Sequence, residues 1–292
     1  MSKPTIEEEI LLRGYTKNPE IIVPTKQIIE ISHILEHPFL EPLPLHKETL
    51  KNTKKATIDF YETFFKLQRV PYYVEKKYGP FRIEKQGDIH PFALPIKKES
   101  DVDEFYGSLN EVIFMTEPFE TIYYKSLSLP KNMTEITKLA YTHEIAHSQL
   151  NHVRGIIKEF YNTEVVSIFL ELVHALELND GEYILTAHDS IRLGSELKTI
   201  IEELNKYYDR KEEPELKKVL IEGSLYLQST LQAYNLFFRY YFGSIQIKKE
   251  LLQNIQRLFN QELSLEDLLS NLDISVESSI NPTKLKKYIT RW

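Results

Sequence analysis

The sequence predicts a mainly α-helical fold with one small β-sheet ahead of a long helical C-terminal half. Three observations predict it. Pro71, Pro80, Pro91, Pro95, Pro118 and Pro130 punctuate one segment, and then only Pro214 interrupts the chain before Pro282. The proline-poor half carries apolar residues at helical spacing, whereas the proline-rich stretch holds short runs bounded by turn residues. With 42% hydrophobic and 27% charged residues over 292 positions, the chain can bury a sizeable core.

The first expected element is a helix over Thr25 to His37, ended by the three prolines of "HPFLEPLPLH". A second helix covers Glu48 to Arg69, with "IDFYETFFKL" as its buried stripe. Between Val70 and Pro130, "YYVEKKY", "FRIEKQ" and "EVIFM" read as strands of one antiparallel or mixed sheet. Helices are then expected over Thr134–Glu159, Thr163–Leu178, Gly181–Tyr208, Glu215–Phe242, Ile245–Asn260 and Leu265–Asn271. The implied division is a helical lead-in, 1–70, and a second domain, 71–292, with its sheet in 71–130 and its helices in 131–292.

Bulk properties restrict function. A net charge of −7 argues against a long basic face for nucleic acid and against attraction to an anionic membrane. Cysteine is absent, so disulfides and thiol chemistry are excluded, and any metal must be held by His, Asp or Glu. The start, "MSKPTIEEEILLRG", has acids where a signal peptide has basic and apolar residues. No apolar run approaches the roughly 18 residues that span a bilayer. The expected location is the cytoplasm.

"YTHEIAHSQLNH" contains His143, Glu144 and His147 in the pattern H-E-x-x-H. On a helix, residues four apart lie one above the other, so two imidazoles can hold one zinc ion. Glu144 projects beside the metal without ligating it. From there it can act as general base toward the zinc-activated water and pass the proton to a leaving amine. The pattern arises by chance about once in several tens of chains of this composition, and on a solvated helix face it means nothing. A third ligand decides the matter. His152 is five residues past His147, about 140° around the helix, and points away. His174 and His188 lack ligand spacing and read as packed or solvated.

"NTEVVSIFLE" offers the better candidates. Glu164 and Glu171 are seven apart on one helix face, among Val165, Val166, Phe169, Leu170 and Leu172. Carboxylates in such surroundings are costly unless paired or metal-bound. The bland alternative for Glu164 is an early acid behind a Thr163 cap. No cap explains Glu171, which suits an acid holding a ligand histidine's free N–H.

"HEIAH" followed by "EVVSIFLE" resembles the zinc oligopeptidases related to thimet oligopeptidase and oligoendopeptidase F, as a shortened member. That resemblance implies a zincin-like helical metallopeptidase domain holding one Zn2+. It makes His143, His147 and Glu164 the metal ligands, Glu144 the general base and Glu171 a support of the site. It also points to a tyrosine on the Glu215–Phe242 helix as oxyanion donor, Tyr226 first and Tyr234 second. "YLQSTLQAYNLFFRYYF" and "ELSLEDLLSNLDIS" match the family's closing segments in texture. Departures are Ala146 for the family's glycine, a shorter link from His147 to Glu164, Ser229 where a second tyrosine is usual, and a missing helical roof.

The expected function is zinc-dependent endopeptidase action on oligopeptides. The alternative is a catalytically weak or inactive peptide-binding relative that retains the metal site. A plain helical interaction module must explain away both buried acids and ranks last. A missing roof implies an open cleft, which a homodimer partner would close, and the "EVIFM" strand would pair with an extended peptide by edge addition.

Overall fold

The computed structural model describes residues 31–36, 59–65, 73–74, 91–95, 112–116, 120–124, 139, 142–143, 146, 150, 160–178, 180–207, 210, 213–272, 274 and 282–290. The chain divides into two compact units, 1–43 with 155–292, and 44–154. These limits do not coincide with the division after residue 70. The early helix around Ile31 and Leu35, both buried, goes with the C-terminal helices, so the sequence-adjacent lead-in is split between the units.

The 44–154 unit carries four strands: β1 (Tyr73–Val74), β2 (Pro91–Pro95), β3 (Val112–Thr116) and β4 (Glu120–Tyr124). All pairs are antiparallel, in the order β1-β3-β4-β2. The β3–β4 register pairs Val112 with Tyr124 and Thr116 with Glu120, leaving three residues between the strands. Strand β3 is an inner strand. Beside Phe114 and Met115 its second side is taken by β1, so edge addition of a peptide at "EVIFM" is blocked there. In the same unit, residues 59–65 are helical, with Phe60, Tyr61 and Phe65 buried. Their rings meet at centroid distances of 5.4–5.9 Å, in edge-on to tilted arrangements that favour aromatic pairs.

The other unit is built on α1 (Phe160–Glu177). Every residue from Thr163 to Ala175 is buried, as expected of a helix apolar on all sides. A turn through Asp180, in the left-handed region at φ 60°, reverses the chain into α2 (Gly181–Ile191). Gly181 is obligatory in this reversal: a Cβ there would lie 2.1 Å from the Leu176 carbonyl oxygen. Helix α2 therefore runs back along α1. A π-helical turn, Arg192–Leu197, then leads into α3 (Lys198–Tyr207).

Helix α4 (Pro214–Tyr241) starts with proline at its first position, where the missing N–H costs nothing, and packs against α1 and α3. Ser244 caps α5 (Ile245–Phe259) and Ser264 caps α6 (Leu265–Asn271), each hydroxyl accepting from a backbone N–H three residues on. Last comes α7 (Pro282–Ile289), a helix not foreseen from the sequence. Its Tyr288 sits among Tyr234, Phe237, Phe238 and Tyr241 at centroid distances of 4.9–6.0 Å. Phe169 is wholly buried and meets Tyr240 edge-on at 6.2 Å; truncation there to alanine costs about 3–5 kcal/mol. Among the described residues, no helix is long and apolar enough to cross a membrane.

Candidate metal centre and a buried charge network

In the 44–154 unit, Leu139, Thr142, His143, Ala146 and Leu150 are helical and buried. Their spacing of three, one, three and four residues traces one helix face, so His143 lies on the packed side, 8% exposed. Tyr61 donates to the Thr142 carbonyl at 2.6 Å, which anchors the backbone next to His143 from the aromatic cluster. Glu144 and His147 lie outside the described residues. Among the described residues, no three His, Asp or Glu side chains converge as a metal-holding group.

In the other unit, Glu164 is 5% and Glu171 1% exposed, both on α1. The helix begins at Phe160, three residues before Thr163. Thr163 therefore stands inside the helix and cannot cap it, and Glu164 is not in its first turn. The capping explanation for Glu164 is removed, and a buried carboxylate in the body of an apolar helix remains.

The hairpin of α1 and α2 determines what Glu171 meets. Glu171 precedes Asp180 by nine residues and His188 follows it by eight, roughly 13 and 12 Å along two antiparallel helices. They face each other, with His188 Nε2 2.9 Å from Glu171 Oε2. One turn further along, Arg192 donates from Nε to Oε2 at 3.1 Å and from Nη2 to Oε1 at 2.7 Å. This is a two-point fork that carboxylate and guanidinium geometry favours. A carboxylate paired with arginine accepts only, so His188 donates from Nε2. Its Nδ1 is buried with no hydrogen-bond partner among the described residues. The histidine that Glu171 holds is thus His188, on the next helix.

The remaining guanidinium nitrogen of Arg192 reaches two groups. It donates to Glu196 Oε2 at 2.8 Å and to the Tyr226 hydroxyl of α4. Tyr226 in turn directs its proton to Glu196 Oε2 at 3.4 Å, longer than a firm hydroxyl–carboxylate bond. Burial first, then the charges of Glu196, Glu164 and Glu171, push the Tyr226 phenol above its ordinary range, against the opposing pull of Arg192. Tyr226 therefore keeps its proton at neutral pH and remains a donor. The guanidinium is held charged by Glu171, Tyr226 and Glu196 despite its burial.

Tyr234 has a different environment. It is 1% exposed and donates to Asp189 Oδ1 at 2.7 Å, while Tyr288 donates to Oδ2 at 2.7 Å. A phenol has one proton, and that of Tyr234 is committed inside the core. Ser229, where the oligopeptidase pattern has a tyrosine, turns its hydroxyl back to the Leu225 carbonyl at 3.0 Å.

Sequence reasoning missed Arg192, Glu196, Asp189 and Tyr288, and it set His188 aside as packed or solvated. The available signal was the turn at "NDG". Folding the two helices back about residue 180 places Glu171 opposite His188. No family model, curated protein or solved structure matches this chain.

Proposed function

We propose that this chain is a zinc-dependent metallopeptidase acting on oligopeptides in the cytoplasm, a shortened relative of the oligopeptidases its motifs resemble, with a zincin-like catalytic domain. The observation that carries the reading is Glu164: a carboxylate buried in the body of an apolar helix, with no capping role to explain it. The donor set fits zinc. Two imidazoles four residues apart and one carboxylate are the hard and borderline N and O ligands that zinc accepts, and no thiolate is needed. His143, His147 and Glu164 would hold the ion. When bound, it would supply a Lewis acid that polarises the scissile carbonyl and brings the pKa of water toward about 7.

The protein groups do the rest. The Glu144 carboxylate takes the proton of the attacking water and delivers it to the leaving nitrogen. The Tyr226 hydroxyl donates to the oxyanion that develops as the carbonyl carbon becomes tetrahedral. Tyr234 is reassigned to packing, because its proton is spent on Asp189. A homodimer partner would cover the substrate site in this reading.

A second reading, a peptide-binding relative that retains the metal site, is favoured by one observation. Ser229 replaces the second tyrosine and faces its own helix backbone. Zinc analysis followed by incubation with a mixed peptide library tests both. Stoichiometric zinc with cleavage supports the enzyme, zinc with binding alone supports the relative, and absence of zinc uptake removes both.

A further inference from the structure

We infer that Arg192 is the positioning residue of the Tyr226 hydroxyl, holding its oxygen so that its proton is offered to the reacting carbonyl. This rests on the metallopeptidase reading and extends it to residues that no motif marks. Three features carry it.

The guanidinium plane is fixed from behind. Glu171 takes two of its nitrogens through both carboxylate oxygens, so the third nitrogen has one direction left, toward Tyr226 and Glu196. A lysine ammonium has no plane to fix in this way. The Tyr226 oxygen is then occupied as an acceptor by Arg192. Its own proton can leave only on the other side, where Glu196 receives it at a weak 3.4 Å. A hydroxyl that accepts from a cation donates more strongly, because chained hydrogen bonds polarise one another. An incoming carbonyl would therefore displace Glu196, whose side chain is 34% exposed and free to turn to water.

The backbone is also adapted at this point. Arg192 opens a π-helical turn, a rare wide turn that often marks functional sites. One inserted residue rotates the downstream helix face by about 100°. Arg192 can then face Glu171 and Tyr226 while Ile201 and Leu204 of α3 still turn into the core.

The test compares Arg192→Lys, Tyr226→Phe and the double variant with wild type, all zinc-loaded, on a fluorogenic peptide. Zinc content is measured for each, together with the NMR signal of 13Cζ-labelled Tyr226, identified by its loss in Tyr226→Phe. Arg192→Lys is expected to lower kcat about 10–100-fold with KM within about 2-fold, because the lost contact matters only in the transition state. The double variant should be no worse than Tyr226→Phe, and the Tyr226 signal should move in Arg192→Lys at unchanged zinc content. Multiplying losses in the double variant, a rise in KM alone, or an unmoved Tyr226 signal would overturn the proposal while leaving the peptidase reading intact. If Arg192→Lys does not fold, the charge-balanced pair Glu171→Gln/Arg192→Gln takes its place under the same criteria. A wild-type protein that takes up zinc but cleaves nothing would overturn the peptidase reading and this proposal with it.

Discussion

Replacing Glu171 by glutamine isolates what one buried charge contributes. The carboxylate accepts from Arg192 Nε, Arg192 Nη2 and His188 Nε2 among its described partners, and is 1% exposed. Glutamine offers one acceptor oxygen and an NH2 that confronts a donor. At best, two of the three bonds survive, and the charge opposite Arg192 is gone. Hydrogen bonds to charged groups contribute about 1.5–3 kcal/mol each, and breaking a buried ion pair costs about 3–5 kcal/mol in all. Arg192 retains Glu196 at 2.8 Å, so the low end applies, about 3 kcal/mol. For a unit of this size, that corresponds to a fall in Tm of about 6–12 °C. Urea denaturation of wild type, Glu171→Gln, Arg192→Met and the double variant measures it. The double variant should be more stable than the sum of the singles predicts, by about 1.5 kcal/mol or more, because neither of the two buried charges is left without the other and Glu196 can turn to water. A cost under about 1 kcal/mol for Glu171→Gln would show that the carboxylate does not compensate Arg192.

Purified protein should hold one zinc per chain, read by elemental analysis; well under one equivalent, with no uptake on adding zinc, would remove the metal site. Glu144→Gln should keep zinc and lose nearly all cleavage, whereas Glu164→Ala should lose zinc affinity, and wild-type turnover in Glu144→Gln would disprove the assigned base. Tyr288→Phe should cost about 1–3 kcal/mol by removing the buried hydrogen bond to Asp189 Oδ2, and a neutral result would mean that this bond adds nothing to the packing that holds α7. Tyr234 contributes to the alkaline stability together with Tyr226 and Tyr240, whose phenols burial also raises; its own is raised by burial and then by the Asp189 charge. At Tyr234 the folded form keeps a proton that the unfolded form sheds above about pH 10, so this group leaves stability unaffected below that pH and lowers it above by about 1.4 kcal/mol per unit. Chemical denaturation from pH 9 to 11 should show a slope that the three phenols share, smaller in Tyr234→Phe by the share of that group.

The helical half was legible because its outer helices, such as α5 with Leu251, Ile255, Leu258 and Phe259 buried, turn apolar residues inward at helical spacing, while α1 is a long apolar run without proline. Leu265–Asn271 agrees to the residue, and α4 and α5 agree within one, since serine caps and Pro214 mark their starts. The π-helical turn was not legible: hydrophobic spacing is nearly the same on either side of one inserted residue. Helix α7 was overlooked in a polar segment, although Pro282 at its start and Leu285, Tyr288 and Ile289 at helical spacing were available as signals. That Glu171 needs a partner could be read from its apolar neighbours. Which partner could not, because Arg192 lies 21 residues away and meets it only after the turn at Asp180 reverses the chain.

The energetics of the network bear on why it exists. Buried ion pairs are poor stabilisers, because desolvating the charges offsets most of their attraction, and well-packed apolar residues often do as well or better. A helix as apolar as α1 would accept leucine at position 171 with methionine at 192, and stability alone would favour that solution. Those apolar residues would lack an N–H directed at the Tyr226 oxygen. Glu171 supplies the charge that keeps the guanidinium in place, and Arg192 converts it into direction. The two acids of α1, seven residues apart on one face, would then divide the work: Glu164 as a metal ligand in the proposed centre, and Glu171 as the anchor of the group that orients the phenol. The shared helix face is the economical arrangement for this, because a helix buried from Thr163 to Ala175 fixes both carboxylates with a single backbone.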